Sequence, residues 1–175
     1  DRETGEFWPD SMFAMPKERR NLSSYEGNKA YLNIGDGRFL DFSYASASDI
    51  DSDSRSVVAA DFDRDGRTDL LVGSVGGGPL RLFRNLFPAD NHRVRVELVG
   101  TDSNRRGIGA RVIAYCGERK IVRDVFPANT CLSQAPPELL IGTGDAEKID
   151  RLFVRWPTGK TQEFGNLPAS GVLTI

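Results

Sequence analysis

Hydrophobic residues along this chain come in short bursts separated by glycine, proline, aspartate and serine. Bursts of that kind, bounded by turn residues, predict strands rather than helices. Tyr31-Leu32-Asn33-Ile34 reads as one strand, Gly35-Asp36-Gly37 as a tight turn and Arg38-Phe39-Leu40-Asp41-Phe42 as the return. Residues 43–56 are polar and read as a loop. Val57-Val58-Ala59-Ala60, Leu70-Leu71-Val72-Gly73 and Leu80-Arg81-Leu82-Phe83-Arg84 read as three more strands, with Gly76-Gly77-Gly78-Pro79 as a turn before the last. In Arg93-Val94-Arg95-Val96-Glu97-Leu98 the alternation is strict, so valine and leucine share one face and the charges the other. Further strands are predicted at 109–116, 119–126, 138–142, 150–156, 161–165 and 171–175, with Gly117-Glu118 as a hairpin turn. No sustained stretch has helical period, so the predicted fold class is all-β.

The texture changes near 87–91, where Phe87-Pro88-Ala89-Asp90-Asn91 reads as a joint. Three segments result. Residues 1–29 are irregular and polar, and Phe7, Trp8, Met12, Phe13 and Met15 are expected to pack them onto the body. Residues 30–88 form a glycine- and aspartate-punctuated repeat. Residues 89–175 alternate regularly and are expected to form a self-contained β-sandwich, since their strands suffice for two packed sheets.

The chemistry concentrates in Asp61-Phe62-Asp63-Arg64-Asp65-Gly66-Arg67-Thr68-Asp69. Its aspartates stand at positions 1, 3, 5 and 9 of the loop. Calcium is a hard cation that takes six to eight oxygens at about 2.3–2.6 Å, and alternate aspartates on a tightly turning loop can point at one centre. Gly66 permits the sharp turn. The expected ligands are Asp61, Asp63, Asp65 and Asp69 through carboxylates and Arg67 through its backbone carbonyl. An EF-hand also needs a glutamate at position 12 and a helix on each side, whereas Val72 stands there inside a predicted strand. Magnesium fits less well because it keeps its waters. Asp49-Ile50-Asp51-Ser52-Asp53 lacks the glycine and the ninth-position acid, and reads as a solvated loop.

Charge and composition mainly exclude. The 175 residues carry a net charge of −2, and no basic run is interleaved with aromatics, which argues against nucleic acid. No apolar stretch approaches the roughly 18 residues of a membrane span. The chain opens Asp-Arg-Glu-Thr-Gly-Glu rather than with Met, and reads as a processed or excised piece. The single histidine, His92, cannot build a multi-histidine metal site and reads as a strand-start residue. Gly76-Gly77-Gly78 lacks the lysine of a phosphate loop, and Gly107-Ile108-Gly109 precedes a strand rather than a helix. Trp8 and Trp156 read as packing residues before sugar platforms.

Two sets of motifs carry a resemblance. Leu32-Asn33-Ile34-Gly35-Asp36-Gly37-Arg38-Phe39 and then Ala59 to Leu70, which contains the aspartate loop, resemble the FG-GAP/VCBS repeat. Asn91-His92-Arg93-Val94, Ser103 to Val112, Ser133-Gln134, Ile141-Gly142-Thr143-Gly144 and Val154-Arg155-Trp156-Pro157-Thr158-Gly159-Lys160 resemble the ASPIC/UnbV domain. Together they resemble the cartilage acidic protein 1-like family. The resemblance implies a propeller-type blade with calcium in its loop, followed by the second domain, in an extracellular or periplasmic protein. It brings no catalytic residues. A propeller needs at least about four blades, so the chain reads as the C-terminal part of a larger propeller protein.

The expected function is therefore a calcium-binding, non-catalytic binding or adhesion module. Its expected partners are an unidentified protein or glycan and the rest of the parent propeller, without nucleic acid or a membrane span. The alternative is an accessory domain of an enzyme system, in carbohydrate handling or natural-product biosynthesis. A hydrolase would require distant acids such as Asp102, Asp124 and Glu138 to converge. An exported location favours a Cys116–Cys131 disulfide, with two buried free thiols as the alternative.

Overall fold

A computed structural model describes residues 27–50, 52, 54–74, 79–88, 90–128 and 133–175. The expectation for 1–26, the larger part of the N-terminal segment, lies outside them. Every described element is a strand, and none of the sheets closes into a barrel. The chain divides into two compact units. Residues 27–54 and Ser74 belong to the first, and Arg55–Gly73 with Pro79–Ile175 make the second.

The first unit is built on a hairpin, β1 (Tyr31–Gly35) and β2 (Arg38–Asp41). Gly35, Asp36 and Gly37 all have positive φ, as a tight return needs. Beyond β2, Asp41 Oδ1 accepts the Ser43 amide at 3.0 Å, and buried Ser43 accepts the Ala30 amide at its hydroxyl at 2.9 Å. Those bonds tie the hairpin's two open ends together.

Apart from the end residues Ser54 and Ser74, the second unit begins with a three-stranded sheet of order β3 (Ser54–Ala60), β4 (Asp69–Ser74), β5 (Arg81–Phe83). Strand β3 starts within the segment expected to be loop. It takes in the polar residues Ser54, Arg55 and Ser56.

The remaining strands form two sheets over one core. One sheet has the order β12 (Gly171–Thr174), β6 (His92–Glu97), β9 (Glu138–Gly144). The other has the order β11 (Thr161–Pro168), β10 (Lys148–Arg155), β7 (Arg111–Cys116), β8 (Arg119–Asp124). Alternation decides which side chains go in. Val94 and Val96 of β6, Val112 and Ala114 of β7, Ile141 of β9, and Ile149, Leu152 and Val154 of β10 are buried in a single cluster. Burying one such aliphatic side chain contributes about 1.5–3 kcal/mol. Gly117-Glu118 makes the expected hairpin turn between β7 and β8. The last strand, β12, runs parallel to β6, with Gly171 opposite Val94 and Thr174 opposite Glu97.

The Ser103–Gly109 motif is a folded loop. Asn104 closes it by accepting the Ile108 amide and donating to the Ile108 carbonyl, each at 2.7 Å. Gly107 has φ +62°, and a Cβ there would meet Leu98 at 2.7 Å. The expected disulfide falls on Cys131, outside the described residues; Cys116 is a buried free thiol.

Candidate metal centre

The aspartate loop joins β3 to β4, leaving the sheet after buried Ala60 and re-entering it at buried Asp69. Its backbone amides turn inward onto its own carboxylates. Asp61 Oδ2 accepts the Gly66 amide at 2.9 Å, Asp63 Oδ1 the Asp65 amide at 3.2 Å, and Asp65 Oδ1 the Arg67 amide at 2.8 Å. Aspartates that accept amides two residues on hold a loop in the curled form a metal needs. Gly66, at φ +84°, supplies the reversal.

This curl brings one carboxylate oxygen each from Asp61, Asp63 and Asp65 within 4.8 Å of one another. Two ligands of one calcium ion, each at about 2.4 Å, are at most about 4.8 Å apart. The three aspartates thus meet the spacing of a shared ion. Asp61 Oδ1 is buried and has no hydrogen-bond partner among the described residues. A buried oxygen left without a donor is destabilising, and a cation would satisfy it. The residues present fit calcium on both counts.

Asp69 stands apart from this group. It is buried, and its two oxygens accept the amides of Phe62 at 3.2 Å and Asn85 at 2.8 Å. It clasps the start of the loop to the segment after β5. Each of its oxygens keeps a second lone pair for a metal. Arg67 contributes its amide and guanidinium to Asp65.

Three arginines surround the carboxylates. Arg67 pairs with Asp65 Oδ2, Arg84 Nε donates to Asp63 Oδ2 at 2.8 Å, and Arg93 Nη2 donates to the Asp65 carbonyl at 2.6 Å. The Arg67 amide, aided by its guanidinium, holds the Asp65 carboxyl below its ordinary range. Arg84, Arg93 and Asn85 carry no signal in the loop motif itself. Their one sequence trace is their place at strand ends: Arg84 closes one predicted strand, Asn85 follows it, and Arg93 opens the next.

The other candidate residues are dispersed. Asp49 is exposed, and Asp51 and Asp53 lie outside the described residues. His92 is exposed and opens β6, as its position in the sequence implies. It lines a cavity of about 390 Å³ that also borders Asp61, Asp65, Arg93 and Arg95. Asp102 pairs with Lys160, Asp124 with Arg111 at 2.7 Å, and Glu138 lies 3.8 Å from Arg95.

Three stretches of the chain match known families. Residues 8–72 match the family model of the FG-GAP-like repeat, 54–96 that of the FG-GAP repeat, and 100–175 that of ASPIC and UnbV. The chain carries FG-GAP repeats and an ASPIC/UnbV domain. It is 37% identical over 149 residues to cartilage acidic protein 1 of Xenopus tropicalis, a match covering 84% of this chain and 23% of that protein. The chain thus spans about a quarter of that relative's length. No described helix is long and apolar enough to cross a membrane.

Proposed function

We propose that this chain is a calcium-binding, non-catalytic module of an extracellular protein, and that it serves in binding or adhesion. The observation that carries the reading is the convergence of Asp61, Asp63 and Asp65 within 4.8 Å, with Asp61 Oδ1 buried and without a donor. Calcium bound there draws the loop's negative charge onto one ion and locks β3 to β4. The FG-GAP matches and the cartilage protein support the extracellular setting.

The non-catalytic part rests on the acids and the histidine. Catalysis needs titratable groups brought together in matched roles. Asp102 and Asp124 each have their own basic partner, Glu138 lies near Arg95, and the cavity that Asp102 lines includes neither of the other two. His92 shares its cavity with Arg64, Arg93 and Arg95 and with Asp61 and Asp65, the proposed ligands of the ion.

The test is calcium titration of chelator-stripped protein, followed by calorimetry and thermal melting. Saturable binding of one ion, with a rise in melting temperature, is expected. An unchanged melt on chelation overturns the reading.

A further inference from the structure

The inward face of strand β11 is finished only in part: Phe164 and Leu167 pack against the core, whereas Gln162 does not. Opposite residues of an antiparallel pair share a face. Phe164 stands opposite Leu152 and Gln162 opposite Val154, and both partners on β10 are fully buried. Gln162 and Phe164 therefore point to the core side of the sheet. Yet Gln162 is exposed and Phe164 only half-buried. An amide at an inward position is a poor choice for packing, since burial without a partner is unfavourable. Strand β11 is an edge strand, and beside Gln162 and Phe164 lies a cleft of about 560 Å³ whose other walls are the 99–103 and 156–160 segments and Ile175. That volume falls in the usual range for ligand pockets, about 300–1,000 Å³.

The lining is specific in chemistry. Trp156 and Phe164 offer aromatic surface, while Thr101, Ser103, Thr158 and Gln162 offer hydroxyls and an amide. Its one acid and one base, Asp102 and Lys160, are paired with each other, so the cleft presents no net charge. The aromatic wall is held in place beforehand. Trp156 Nε1 donates to Gln162 Oε1 at 2.7 Å, and its amide donates to the Lys160 carbonyl at 2.8 Å. The first bond occupies the Gln162 oxygen and leaves its amino group without a partner among the described residues, free to donate.

We propose that this cleft binds a neutral saccharide chain. A sugar ring pairs an apolar C–H face, which stacks on an aromatic ring, with equatorial hydroxyls that both donate and accept. Trp156 and Phe164 supply the first need, and Gln162 with the threonine and serine hydroxyls supplies the second. A charged ligand would have to break the Asp102–Lys160 pair, and a peptide would be expected to pair with a strand edge instead of the inner face. The inference rests on the adhesion-module reading, which it narrows to one ligand class, but it uses no residue of the metal loop.

The whole chain is titrated by calorimetry with cello-, xylo-, manno- and chito-oligosaccharides at low and high salt. Saturable binding of at least one, insensitive to salt, is expected, with at least a tenfold loss of affinity in Gln162→Ala and in Trp156→Ala. Gln162 is exposed, so its variant keeps the test valid if Trp156→Ala fails to fold. Absence of saturable binding throughout, binding unchanged in Gln162→Ala, or displacement by salt overturns the proposal. Calcium titration of the same variants, expected to be unaltered, keeps this outcome separate from that of the metal loop.

Discussion

The Arg93 side chain lies directly over Gly66: a Cβ built on that glycine would come within 2.4 Å of Arg93 Nε. The same guanidinium donates to the Asp65 carbonyl at 2.6 Å, so β6 braces the metal loop at its sharpest turn. Gly66→Ala combines this clash with a φ of +84° that residues with a Cβ adopt at about 1–3 kcal/mol of strain. Chemical denaturation should show a loss of that size. Calcium affinity should fall with it, because the turn that gathers the aspartates is the one disturbed.

Asp63→Ala should remove most of the stabilisation given by calcium. At a hundredfold excess of ion over Kd, the wild type gains about 2.7 kcal/mol from a ligand that binds only the folded state. Melting with and without chelator should show that gain in the wild type and little of it in the variant.

Arg84 Nε donates to Asp63 at 2.8 Å, so it would compete with an ion bound there. The pair is partly exposed, so its own worth is small and screened by salt. Arg84→Gln should tighten calcium binding a few-fold at low salt and less at high salt. A weakened affinity would instead make Arg84 a support of the loop.

Acid should loosen the β1–β2 hairpin. The hydroxyl and amide of Ser43, with Lys29, hold Asp41 down from its ordinary 3.8 to about 2. A carboxyl depressed on folding stabilises the fold above its unfolded pKa and loses that effect as pH falls through its folded one. The contribution of Asp41 should therefore be constant above about pH 4 and be lost between 3.8 and about 2. Asp41→Asn should reduce that slope in acid-unfolding curves.

Burial pushes the Cys116 thiol above its usual pKa, with Asp150 adding to the effect. A buried, protonated thiol is a poor nucleophile. In a Cys131→Ser background, Cys116 should resist a thiol-labelling reagent in native buffer and react promptly in denaturant. Rapid native labelling would place it at a surface the structure does not give it.

Much of this architecture is legible in residue order. Strict alternation in 93–98 marks β6, and its burial follows the same period. The loop's aspartates mark themselves by spacing, and Asp61, Asp63 and Asp65 do meet. What local pattern cannot carry is pairing at a distance. Nothing in Gly171–Thr174 says that it lies parallel to β6, and nothing in Asp69 says that its oxygens answer the amides of Phe62 and Asn85. The arginines around the loop are equally silent, because guanidinium contacts depend on where strands return and not on any period.

Strand β6 lies between β9 and β12, with His92 opposite Gly144 and Gly171 opposite Val94. Both neighbours are made long after it. During synthesis, which runs from the N-terminus, β6 emerges with its valines bare and both edges unpaired. Closing such distant contacts is slow, because chain entropy is lost before the pairing rewards it. Strand β12 is therefore expected to act as a kinetic latch. Until Gly171–Thr174 arrives, an exposed edge of alternating valines is open to other strands, and folding competes with self-association.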